Sequence, residues 1–217
     1  VFAITTVIAM ITFLGLIGAE TLIPLYMQDM RDFSAFESGL ALLPGAVITA
    51  FMSPITGRIF DKIGARLLAV VGLTIITGAS LAFSFLNIET TFTAITVLYA
   101  IRMFGLSMVM MPVTTAGLNQ LPKKLIPHGA AMSNTMRMVA ASVGTAILVT
   151  VMTTTAQSAE SNPSIDHPSI YGVNIAFFIV TALSLAGLVL AFFVKRTYPP
   201  DEEQVKEPDR KSVGWGK

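Results

Sequence analysis

Six apolar runs, each long enough to cross a bilayer and separated by short charged connections, constrain this chain more than any other feature. A membrane helix needs about 20 mostly apolar residues. Such runs fall near Val1–Tyr26, Ser38–Thr56, Leu67–Leu86, Phe92–Leu118, Ala130–Thr153 and Val173–Val194. Only 12% of the 217 residues are charged, against roughly 25% in soluble domains, and many of those charges sit in the connections and the tail. A soluble helix keeps one charged face wet; these runs have none. The expected fold is an all-α membrane protein of six transmembrane helices.

Orientation follows from Lys and Arg. One set of connections holds Arg58, Lys62, Arg66, Lys123, Lys124, Lys195 and Arg196. The other holds only Arg31, beside Asp29, Asp32, Glu37, Glu89, Glu160 and Asp166. The positive-inside rule makes the first set cytoplasmic, and both chain ends with it. The charged, Pro-containing tail 195–217 lacks the apolar surface to fold alone and reads as disordered. The chain opens inside an apolar run at Val1, with no basic leader, which reads as the continuation of a longer N-terminal part rather than as a signal peptide.

Other chemistries find little support. A net charge of +1 without a basic patch argues against nucleic acid as a partner. Cysteine is absent, so thiolate metal sites are excluded. His128 and His167 lie apart, no nucleophile sits with a base, and no Gly-rich phosphate loop occurs. The chain is read as a non-enzyme without a cofactor.

Three ionisable residues interrupt the apolar runs: Glu20, Arg102 and Arg137. Each charge at a bilayer centre costs roughly 2.5–3.5 kcal/mol on insertion scales, so a plain anchor would carry Leu there. The functional reading is a substrate or proton path; the bland one is a buried ion pair, such as Glu20 with Arg102, that fixes helix packing. In the fifth run Ser133, Asn134, Arg137, Ala141, Gly144 and Thr145 share one side at 100° per residue, with Met132, Met136, Val139 and Val143 opposite. Packing alone explains the small residues there, but leaves Asn134 and Arg137 unexplained. Glu20, Arg102, Asn134 and Arg137 are the candidate substrate and proton-path residues.

The connection from Gly57 to Arg66 reads as a short charged hairpin with three cations in ten residues. Gly57 and Gly64 suit turns, and Arg58, Lys62 and Arg66 suit topology signals. Asp61 needs a further reason, and a carboxylate opposite a helix end makes a breakable lock. Gly57, Arg58, Asp61, Lys62, Gly64 and Arg66 together resemble the loop motif of the major facilitator superfamily, departing from it at Ala65, where a basic residue is common. Gly39-Leu40-Ala41-Leu42-Leu43-Pro44-Gly45-Ala46 is similar to the second half of the fourteen-span drug:proton antiporters of the EmrB/QacA and lincomycin-resistance type. So is Asn119-Gln120-Leu121-Pro122 followed by Gly129, Ser133, Asn134, Thr135 and Arg137.

The resemblance implies a C-terminal bundle of two inverted three-helix repeats in residues 1–194, facing an N-terminal bundle absent from this chain. It implies lipophilic small molecules and protons as partners, within a cell membrane, and drug efflux by alternating access. Two other readings stand beside it: a facilitator-fold transporter of one polar metabolite, and a non-transporting membrane scaffold or sensor.

Overall fold

The computed structural model describes residues 2–161 and 165–194, so the expectation for the 195–217 tail, with Lys195 and Arg196, lies outside the described residues. Six α-helices fill the described chain: α1 (Phe2–Arg31), α2 (Ala35–Ile63), α3 (Ala65–Phe83), α4 (Phe92–Leu118), α5 (Ile126–Glu160) and α6 (Pro168–Phe192). All six are long and apolar enough to cross a membrane. Their mostly apolar surface suits lipid, where only internal hydrogen bonding satisfies the backbone.

Most helices outrun their apolar cores. At the start of α2 the Ser34 hydroxyl accepts from the Glu37 N–H, and the Glu37 carboxylate accepts from the Ser34 N–H. This reciprocal cap moves the helix start ahead of the apolar run. The expected hairpin at 57–66 is mostly helical: Gly57–Ile63 are the last two turns of α2, and the chain breaks only at Gly64. Gly64 has φ 79°, a conformation that a residue with a Cβ rarely adopts. The outer connection between the fifth and sixth apolar runs is likewise shortened by α5, which continues to Glu160.

The packing pairs helices across a pseudo-twofold relation. Helix α2 lies on α4 as α5 lies on α1, α3 lies on α4 as α6 lies on α1, and α1 meets α4 while α3 meets α6. Exchanging α1–α3 with α4–α6 reproduces these pairs but not the close packing of α5 on α6, which α2 and α3 lack. Helices α1 and α4 are central, α3 and α6 back them, and α2 and α5 are the least buried of the six. Small residues let the helices approach. A Cβ on Gly72 of α3 would stand 2.6 Å from the Gly105 carbonyl oxygen of α4. Leu14 of α1 seats on Gly144 of α5, and Leu148 of α5 on Gly18 of α1.

Charges collect at the two ends. Phe2 packs near Gly117 and Gly129, and Arg66 shares a hollow with Phe192. One end therefore carries Arg58, Lys62, Arg66, Lys123 and Lys124. At the other end Arg31 is held by backbone: its Nη1 donates to the Thr90 carbonyl at 2.8 Å and the Asn87 carbonyl at 3.2 Å. The Tyr26 hydroxyl donates to the same Asn87 oxygen at 2.6 Å. These bonds tie the end of α1 to the α3–α4 connection.

Candidate functional site

Helix α1 carries the central carboxylate. Glu20 is exposed on the surface of the bundle, and Pro24, four residues on, has no N–H to give the Glu20 carbonyl. The neighbouring polar group is Tyr99 of α4, whose hydroxyl faces Glu20 Oε1 at 3.5 Å, long for a hydrogen bond. Tyr99 is only 3% exposed. Its ring lies against the bare backbone of Gly45 in α2, where a Cβ would come within 2.6 Å of two ring carbons. Three helices thus fix the hydroxyl that meets the carboxylate.

Arg102 sits one turn beyond Tyr99 and is 1% exposed. Its Nη2 donates to the Gly15 carbonyl of α1 at 2.6 Å, and its Nε to Ser80 Oγ of α3 at 3.3 Å. Nη1 is buried without a partner. The guanidinium therefore joins α1, α3 and α4 through a backbone carbonyl and a hydroxyl, and Tyr99 is the group that contacts Glu20. The alternative of a direct Glu20–Arg102 pair gives way to this arrangement.

On α5, Ser133, Ala141 and Gly144 are buried, while Met132, Met136, Val139 and Val143 are exposed. Arg137 is half-buried and Asn134 is exposed. Arg137 Nη2 donates to Asn134 Oδ1 at 3.1 Å, and the guanidinium stands 5.7 Å from the centre of the Phe13 ring of α1. That distance suits a cation–π contact. Beside it a hollow of about 420 Å³ opens between α1 and α5, lined by Phe13, Ile17, Met138, Ala141, Ser142 and Thr145 among others.

The motif residues lie at the cationic end. Arg58, Asp61, Lys62 and Arg66 are exposed, Gly57 is half-buried and Gly64 is buried. A second hollow of about 350 Å³ between α2 and α4 brings Gly57, Arg58 and Asp61 together with Met111 and Asn119. At 1.5 Å per residue, Glu20 stands about 27 Å along α1 from that end and Phe13 about 16 Å. The structure thus gathers Glu20 with Tyr99 and Arg137 with Asn134 and Phe13, keeps Arg102 inside, and leaves the motif at the surface. Sequence reasoning passed over Tyr99 and Phe13. The one available signal was a tyrosine one helical turn before an intramembrane arginine.

Residues 1–145 match the family described as Major Facilitator Superfamily. The chain is 49% identical over 204 residues to an uncharacterized MFS-type transporter, YcnB, of Bacillus subtilis, covering 94% of this chain and 43% of that protein. It is 38% identical to the lincomycin resistance protein LmrB of Bacillus subtilis, over 90% of this chain and 42% of that one. With the multidrug export protein EmrB of Haemophilus influenzae it shares 30% identity, over 67% of this chain and 29% of that one. Among solved structures, tetrameric PepTSo2 superposes with a TM-score of 0.71 at 14% identity, covering 89% of this chain and 40% of its own. The chain spans less than half the length of each of these proteins.

Proposed function

The chain belongs to the major facilitator superfamily, and from that premise we propose that it is the C-terminal half of a proton-driven exporter of lipophilic compounds. In this reading residues 1–194 form a six-helix bundle that closes against an N-terminal bundle, and the substrate path runs between the two. The observation that carries the reading is Glu20: an exposed carboxylate on a membrane-spanning helix, with only a long contact to Tyr99. Intramembrane carboxylates are costly and mark ion or substrate paths. A proton and a cationic substrate would compete for this one, which is the essential step of antiport. Resistance and export relatives favour drugs over a metabolite.

Helices α2 and α5, the least buried, are the flanks that an N-terminal bundle would cover. Asp61 would form a lock across that boundary, broken and remade as the halves rock. The cationic end faces the cytoplasm of a cell membrane. The test uses everted membrane vesicles carrying the full-length protein and a lipophilic cation. An imposed proton gradient should drive uptake, an ionophore should abolish it, and Glu20→Gln should remove it with protein levels unchanged. Gradient-independent movement, or none for several lipophilic cations, would refute proton-driven export.

A further inference from the structure

Phe13 and Glu20 lie seven residues apart on α1, which places them on the same face within about 20° and about 10 Å apart along the axis. Arg137 stands on the Phe13 ring. One face therefore presents a guanidinium at one level and a carboxylate at the other. The apolar hollow bounded by Ile17, Met138 and Ala141 adjoins the interval between them.

The two intramembrane arginines are held in different ways. Arg102 is fully buried and donates to a helix carbonyl, which makes it a packing element. Arg137 is half-buried, donates only to the side chain of exposed Asn134, and keeps its Nε without a partner. Thr145 Oγ1, in the wall of the same hollow, is also buried and unpartnered. A half-buried guanidinium with an unused donor is matched by a carboxylate, a charge-assisted acceptor for it.

We propose that the α1–α5 face binds amphoteric small molecules, with a protonated amine at Glu20, a carboxylate at Arg137 and an apolar body in the hollow between them. The inference rests on the reading of Glu20 as a substrate site, and adds which substrates the site prefers.

Equilibrium binding to the purified full-length protein tests this without requiring transport. The probe is an aryl amino acid whose amine and carboxylate are about 10 Å apart, compared with its methyl ester, which keeps the amine alone. The free acid should bind about tenfold more tightly than the ester, the worth of one charge-assisted pair. Arg137→Gln should erase that difference and leave the ester's affinity within about twofold. Arg137→Lys, which keeps the charge without the fork, should leave a difference of a few-fold and serves if the Gln variant does not fold. Equal binding of acid and ester to the native protein would overturn the proposal. So would failure of the acid to bind, or equal weakening of both by Arg137→Gln. Discrimination in binding without gradient-driven transport would sink the export reading and leave this inference standing.

Discussion

Gly45→Ala tests the link between packing and site most directly. A Cβ at this position would lie 2.6 Å from Cδ1 and Cε1 of Tyr99 and 2.8 Å from Cγ of Met103. Ordinary carbon contacts begin near 3.4–3.5 Å, so the ring must retreat by about 0.8 Å. Tyr99 is 3% exposed, so its ring is enclosed by protein. Overpacking of this kind costs about 1–3 kcal/mol, and the helix preference of Ala over Gly returns about 0.5–1 kcal/mol. The net loss is up to about 2.5 kcal/mol. Its functional effect is larger than its stability effect. The hydroxyl sits 3.5 Å from Glu20 Oε1, so displacement of the ring changes that contact. Gly39→Ala is the control on the same helix, because nothing lies within 4 Å of its Cβ. It should gain about 0.5–1 kcal/mol. Thermal unfolding of the full-length protein in detergent should rank Gly39→Ala above the native protein and Gly45→Ala below it. Affinity for a lipophilic cation should change only in Gly45→Ala. A Gly45→Ala variant that melts with or above the Gly39 variant, with native pH dependence of cation binding, would refute the reasoning.

Arg102 gives a second contrast. Arg102→Ala leaves a large void and should lose about 2–5 kcal/mol. Arg102→Met fills the volume without a buried charge and should stay within about 1.5 kcal/mol of native, both read by thermal unfolding. For topology, single cysteines at Thr90 and Ser161 should react with an impermeant thiol reagent in whole cells, and one at Lys124 should react only after permeabilisation; inverted labelling would overturn the orientation. Asp61→Asn should slow transport by about tenfold, the scale of a coupling contact, with native amounts of protein in the membrane; native rates would leave Asp61 a surface residue of α2.

Much of the fold was legible because the bilayer makes hydropathy and charge speak together. The six runs were readable from bare apolar length, and the grouping of Arg58, Lys62, Arg66, Lys123 and Lys124 at one end from the cations alone. Helix ends were less legible. Gly57–Ile63 read as a hairpin because its charges end the apolar run, yet a helix that rises above lipid remains hydrogen-bonded along its backbone. The Ser34–Glu37 cap was a local signal in plain sight. At the site, Glu20 and Arg137 stood out as charges in apolar surroundings. Arg102 stood out equally, and only three-dimensional packing separates its carbonyl-bound, inward role from the half-open position of Arg137. Tyr99 and Phe13 carry no chemical anomaly within an apolar run. Their meaning comes from Gly45, Glu20 and Arg137, which the chain brings to them from other helices.

Helix α2 runs from the Tyr99 contact at Gly45 to Asp61 with Pro54 between them, and a single residue separates its end from α3. It behaves as a lever arm. Pro44 provides a pivot, since it leaves the Leu40 carbonyl without its helical donor just ahead of Gly45. The arm from Gly45 to Asp61 is sixteen residues, about 24 Å. A 5° swing about that pivot would carry the Asp61 carboxylate by about 2 Å, whereas the useful range of hydrogen-bond lengths spans only about 0.5 Å. If Asp61 forms the proposed lock, a small change in what presses on the Tyr99 ring would thereby be magnified, at the membrane surface, into the making or breaking of that contact.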